Sequence, residues 1–291
     1  MKCNFIGIGV QKSASTWVYR VLEDHPEASM STPKELDFFS ENFNKGFEWY
    51  ENHFLLDGSK KVAGDISPSY FTSLEAIKNA KQYNPDLKII VTLRDPIARA
   101  YSNHLHLIRL GAGKYKGEDE TFESGLAAHP EYMDRSHYFK HLKNWFSNFP
   151  KENILVVLQE EIEKEPVEHA KIIYSFLGID QNHQSSFLLK RANVSAEPKI
   201  KFIEESLKAA AKFLRKAGLY RVVETIKSNY LIKKFREKNR KHLSSRVPAM
   251  QKETEDALLR EINKDLTDLS SLLDRDFSLW DSSNKSKNAA N

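Results

Sequence analysis

Cysteine is almost missing from this chain: Cys3 stands alone among 291 residues, which excludes an intrachain disulfide and fits a reducing compartment. Long apolar runs are missing too, and no stretch approaches the eighteen or so residues that a membrane helix requires. The apolar start, Phe5 to Val10, is short and runs into Gln11-Lys12 without a small-residue cleavage site, so it reads as a strand and not as a secretory leader. A cytoplasmic location is the expectation. The formal net charge is only +4, too little to call for nucleic acid as a partner. No His/Cys/carboxylate cluster has zinc spacing, and even His104 and His106, two residues apart, point to different helix faces. No metal is expected. No internal repeat is visible.

What the chain has in quantity is short β-rich runs alternating with helical patterns, which predicts an α/β fold with a parallel sheet flanked by helices. Strands are expected at Asn4 to Val10, Lys61 to Gly64, Lys88 to Leu93 and Asn153 to Leu158. Helical patterns fall at Thr16 to Asp24, Gly46 to Phe54, Ser73 to Tyr83, Pro96 to Leu110, Ser136 to Phe149 and Pro166 to Leu177, several with Pro or Ser near their starts. The stretches Lys114 to Glu120 and Gly178 to Ala196 read as irregular. After Pro198 the strand signal stops. Residues as far as Trp280 read as helices, the last from about Pro248 to Leu273 with Leu258, Ile262, Leu266 and Leu269 on one face. The expected organisation is an α/β core over 1–198, a helical extension packed on it over 199–281, and a disordered Ser/Asn/Lys-rich tail over 282–291.

Basic charge is segregated. Fourteen Lys/Arg and four Asp/Glu lie between Lys201 and Arg246, so the rest of the chain is net acidic. A helical subdomain with a solvated Lys/Arg face is the favoured reading. Two other uses stay open: peripheral contact with an anionic membrane or polymer, aided by Tyr220, Val223, Tyr230, Leu231 and Phe235, and attraction of an acidic saccharide or small molecule to the rim of an enzyme.

The chemistry is concentrated at strand ends. Phe5-Ile6-Gly7-Ile8-Gly9-Val10 is followed at once by Gln11-Lys12-Ser13-Ala14-Ser15-Thr16-Trp17. A strand that ends in Lys and hydroxyl residues and opens a helix aims backbone N–H groups and a cation at one point, a cradle for an anion. The plainer alternative is a strand running into a helix with Ser13 or Ser15 as its N-cap. The triphosphate-binding P-loop needs Gly-x-x-x-x-Gly-Lys-[Ser/Thr]. With Lys12 as its lysine, the two glycines would fall at Ile6 and Gln11, which weakens a kinase or NTPase reading. A second strand end, Ile89 to Leu93, runs into Arg94-Asp95-Pro96 and a helix carrying Arg99 and Ser102. Asp95 is placed to cap that helix, and Asp95, Arg99, Ser102 and His106 share a face, Ser102 lying about 10 Å along the axis from Asp95. Arg94 and Ser102 can grip one group beside the helix, and a planar guanidinium suits phosphate. Two anion sites on one rim of an open sheet fit a ligand with two separate phosphates.

These segments resemble the sulfotransferases that use 3′-phosphoadenosine 5′-phosphosulfate (PAPS), and in particular a bacterial type related to the carbohydrate, heparan sulfate-like enzymes. Lys12, Ser15 and Thr16 match the 5′-phosphosulfate loop, Lys-x-Gly-Thr-[Ser/Thr], with Ala14 in place of its Gly, so that the backbone there must do without positive φ or accept strain. Arg94 and Ser102 match the 3′-phosphate segment. The resemblance implies cofactor contacts from Lys12, Ser13, Ala14, Ser15, Thr16, Trp17, Arg94 and Ser102, and from Lys190 and Arg191 in a late basic loop. Pro33-Lys34-Glu35-Leu36-Asp37-Phe38-Phe39 is similar to the Lys-Glu-x-x-Phe-Phe segment of the carbohydrate enzymes, which implies Glu35 as general base toward an acceptor hydroxyl. Lys34 would favour ionised Glu35, whereas Phe38 and Phe39 would desolvate it. Gly64-Asp65-Ile66-Ser67-Pro68-Ser69-Tyr70-Phe71 parallels Glu-Lys-[Ser/Thr]-Pro-x-Tyr-Phe, and Asp65 would assist acceptor binding or orient Lys12. Ile66 stands where heparan-type enzymes carry Lys, and Asp37 where some carry His. The implied reaction is metal-free sulfuryl transfer from PAPS to a hydroxyl or amine of a carbohydrate or small metabolite.

Overall fold

The computed structural model describes residues 2–55, 58–111, 120–189 and 247–280, together with the backbone of two short strands at 196–198 and 240–242. Lys190 and Arg191, the bulk of the basic stretch 201–246 and the tail 282–291 lie outside the described residues. Two compact units are distinguished, one formed by Met1–Asn103, Leu126–Asn193 and Met250–Asn291, the other by His104–Gly125 and Val194–Ala249.

The first unit is built on five parallel strands, β1 (Phe5–Gly9), β2 (Ala28–Met30), β3 (Val62–Ile66), β4 (Lys88–Leu93) and β5 (Ile154–Leu158), in the order β2-β3-β1-β4-β5. Among the described residues the helices in chain order are α1 (Ser15–Glu23), α2 (Gly46–Glu51), α3 (Leu74–Tyr83), α4 (Pro96–Leu110), α5 (Phe122–Ala128), α6 (Glu131–Asp134), α7 (Tyr138–Phe146), α8 (Gln159–Lys164), α9 (Pro166–Leu177) and α10 (Lys252–Leu273). Every residue of β1 and β3 is buried, as expected of parallel strands covered on both faces, which read as continuous apolar runs and not as alternation.

All four expected strands form. β2 was not foreseen: Ala28-Ser29-Met30 is three residues long and carries too little periodicity to register. The short helices α5, α6 and α8 also fall outside the expected set. In the second unit, β6 (Ala196–Pro198) pairs antiparallel with β7 (Arg240–His242), which corrects the expectation of an all-helical region after Pro198. A three-residue ladder rests on backbone pairing and leaves almost no side-chain signature.

α10 belongs to the first unit and buries Leu258, Ile262, Leu266 and Leu269, a stripe worth roughly 1.5–3 kcal/mol per fully buried side chain. Its polar face contributes as well. Asp265 Oδ2 accepts the Phe139 amide and Oδ1 the Lys140 amide, each at 3.0 Å, so a side chain more than a hundred residues away caps the start of α7. Among the described residues no helix is long and apolar enough to cross a membrane.

Candidate active site

The strand order creates the site. From β1 the chain turns toward β2 and β3, whereas from β4 it continues to β5 on the other side, so the connections diverge at the carboxyl ends of adjacent β1 and β4. Such a switch point leaves a crevice where ligands of open α/β sheets bind. The Gln11–Ala14 loop leaves β1 there, and Arg94-Asp95 leaves β4.

The β1 loop is shaped by backbone. Gly9 has φ +113°, and a Cβ there would sit 3.1 Å from the Pro68 Cα, so the chain that follows β3 lies directly against the loop's start. Lys12 (φ 72°) and Ala14 (φ 63°) both take left-handed conformations. Ala14 therefore adopts the positive φ that glycine usually supplies, at a cost of roughly 1–2 kcal/mol. Ala14 is also the N-cap of α1, with no side-chain cap, so the plainer alternative of a Ser13 or Ser15 cap does not hold. Ser13 instead is fully buried, with its Oγ lacking any hydrogen-bond partner. An uncapped helix N-terminus beside a buried, unsatisfied hydroxyl suits an anionic oxygen.

Arg94 reaches across the crevice, its Nη1 donating to the Lys12 carbonyl at 3.5 Å. The two sequence motifs meet at that contact. Asp95 caps α4 as expected, its Oδ1 accepting the Ile97 and Ala98 amides at 3.0 and 2.8 Å. Two residues not singled out in the sequence secure this turn: Glu160, just beyond β5, accepts the Asp95 amide at 2.8 Å, and the Tyr138 hydroxyl donates to the Arg94 carbonyl at 2.7 Å. Burial pushes the Glu160 carboxyl up, opposed by the Asp95 amide. The signal available in sequence was a third strand end bearing an acid, Leu158-Gln159-Glu160. Arg135 was also missed, and its Nη1 donates to Gln11 Oε1 at 2.6 Å.

Ser102 lies half-buried on α4, whereas Arg99 turns inward. It is wholly buried, donates to Ser136 Oγ and the Tyr132 carbonyl, and leaves Nη1 without a partner. Burial, aided by the nearby charges of Arg135 and Arg94, pushes its pKa down to about 10. Trp17 is a core side chain whose indole donates to the Leu188 carbonyl at 3.1 Å.

Glu35 is exposed and ion-paired with Lys34. Phe38 and Phe39 do not desolvate it; both are fully buried among Tyr50, Tyr70 and Tyr83. Asp65 is fully buried, and its oxygens accept hydroxyls from Tyr50 (2.6 Å), Ser67 (2.6 Å) and Tyr70 (2.9 Å). All three of these hydrogen bonds to Asp65 come from hydroxyl groups. Burial pushes its carboxyl up, opposed by the three hydroxyls. Ile66 is buried against β1, where a Cβ on Gly7 would lie 2.7 Å from its Cγ1.

Fold and site together define an α/β protein in which the loops after β1 and β4 meet at one switch-point crevice. The model of the sulfotransferase domain matches residues 4–219, and the chain belongs to that family. It is 29% identical over 210 residues to the human heparan sulfate glucosamine 3-O-sulfotransferase 3B1, covering 66% of this chain and 52% of the relative. It is 30% identical over 172 residues to the bifunctional heparan sulfate N-deacetylase/N-sulfotransferase 1 of Caenorhabditis elegans, covering 55% and 20%. Among solved structures, a sulfotransferase from Alicyclobacillus acidocaldarius superposes with a TM-score of 0.69 at 20% identity, covering 96% of this chain and 99% of that one. The chain spans about half the length of the human 3-O-sulfotransferases it matches.

Proposed function

We propose that this protein transfers the sulfuryl group of PAPS to a hydroxyl or amine of an acceptor, a saccharide in the first instance. The observation that carries the reading is the Arg94–Lys12 contact across the β1/β4 crevice, which joins two separate anion grips as a ligand with 5′ and 3′ phosphate groups requires. The unsatisfied Ser13 hydroxyl beside the uncapped α1 supports it. The saccharide is supported by relatives named for transfer to heparan sulfate glucosamine.

PAPS supplies an activated sulfuryl group whose bond to the 5′-phosphate oxygen breaks as a bond to the acceptor forms. Lys12, Ser13 and the amides of Ala14 to Thr16 hold the 5′ end and stabilise charge that develops there. Arg94 and Ser102 hold the 3′-phosphate, with Lys190 and Arg191 as further phosphate contacts. Glu35, ion-paired with Lys34, takes the acceptor's proton.

Thermal melting with adenosine 3′,5′-bisphosphate against ATP, each with and without Mg²⁺, tests the cofactor. Stabilisation by the bisphosphate is expected without metal, about 2.7 kcal/mol at a hundredfold excess over Kd, and weaker in Lys12→Ala and Arg94→Ala. No shift at saturating ligand overturns the assignment. Radiolabelled PAPS offered with heparan sulfate and a panel of p-nitrophenyl glycosides tests the acceptor.

A further inference from the structure

We propose that Asp65 is a positioning residue that fixes the Glu35 segment by setting the direction of two hydroxyl groups; this rests on the reading of Glu35 as general base. The segment is an unusual piece of backbone. Glu35 (φ 64°) and Asp37 (φ 48°) are both left-handed, flanking a buried Leu36, and non-glycine residues hold such conformations only where their surroundings over-determine them. The surroundings here are specific. The Asp37 amide donates to Ser67 Oγ at 3.0 Å, and the Phe38 amide donates to the Tyr70 hydroxyl at 2.9 Å. Those two oxygens in turn donate to the same atom, Asp65 Oδ2, at 2.6 and 2.9 Å, while Tyr50 donates to Oδ1.

Each hydroxyl has one proton to give. A carboxylate without a proton only accepts, so it commits the Ser67 and Tyr70 protons to itself and turns their lone pairs toward the two backbone amides. An amide side chain at 65 would present N–H₂ to some of these hydroxyls, reverse their direction and set them against the amides they now accept. The hub is also tied to the cradle: the Ser67 amide donates to the Gly7 carbonyl at 2.9 Å, and Pro68 abuts Gly9. Asp65 thus connects the base segment to the β3 end that lies against the cofactor loop.

The test is amide-resolved hydrogen exchange combined with turnover. Ser67→Ala should accelerate exchange at the Asp37 amide about tenfold, the loss of one hydrogen bond of ordinary strength, and leave Phe38 little changed. Tyr70→Phe should do the reverse, and Asp65→Asn should release both. Release of adenosine 3′,5′-bisphosphate from PAPS, with water alone and with the saccharide panel, should fall at least about tenfold in kcat for Asp65→Asn, with the KM for PAPS and stabilisation by the bisphosphate unchanged. Protection that stays intact in Asp65→Asn, or a kcat equal to the parent's, overturns the proposal. Should Asp65→Asn not fold, the opposite exchange patterns of the two single-hydroxyl variants decide it, and their absence counts against it. Full turnover by Glu35→Gln instead removes Glu35 as base, an outcome separate from the exchange results.

Discussion

Ala14 carries the most local tension at the residue scale. It occupies a left-handed position without the freedom of glycine, and it does so at the mouth of the crevice. Replacing Ala14 by Gly is expected to stabilise the chain by up to about 1 kcal/mol, the strain relieved being partly offset by the unfolded-state entropy of glycine; chemical denaturation measures it. Ala14→Val should destabilise by more than that gain, because a β-branched residue fits the left-handed region poorly. Glu35→Gln should lower turnover by about 10²–10⁴-fold while leaving the melting shift with adenosine 3′,5′-bisphosphate intact. Lys12 and Arg94 lie where the sequence puts them, in contiguous motifs just past β1 and β4, whereas Glu35 follows β2, a strand that the sequence does not announce. The surroundings of Asp65 were not legible. Ser67 and Tyr70 are local partners, but Tyr50 lies fifteen residues upstream, a partner that no local pattern announces.

Elements were read best where periodicity ran long. β4 and α4 match their expected bounds, and α9 does too. Three-residue strands and helices of one or two turns were lost because so short a stretch carries too little repeat. The cap of α7 shows the same limit in another form. His137 and Tyr138 contain no capping side chain, and the function is met by Asp265 of α10. Asp265→Ala should therefore cost about 1–2 kcal/mol, read from urea denaturation, even though the residue lies in α10. Asp265→Asn should recover part of that loss, since an amide oxygen still accepts one of the two N–H groups.

For the larger unit as a whole, the chain beyond α9 is tied back to α1 through an acid. Asp24 Oδ2 accepts the Ser186 amide at 2.9 Å, and His183 lies 3.6 Å from the same oxygen. The Ser186 amide, with lesser help from Ser185 and His183 against an opposing effect of burial, holds the Asp24 carboxyl below the usual range. Because the folded value is depressed, the stabilisation is present above the ordinary aspartate pKa of about 4 and is lost as pH falls through the depressed value. Melting followed from neutral pH downward should show a smaller acid-induced drop in Asp24→Asn than in the parent, and equal drops would refute the role. The sequence marked this region only as irregular, since its order comes from contacts more than 150 positions apart.

The packing of Ile66 onto Gly7 limits how this scaffold can be re-engineered. At this point a branched hydrocarbon is pressed against a strand residue that has no side chain. A lysine ammonium introduced at position 66 would bury an unpaired charge between β1 and β3, a change expected to cost more than about 3 kcal/mol. Placing a cation at this point in the fold would require β1 to be redesigned together with position 66.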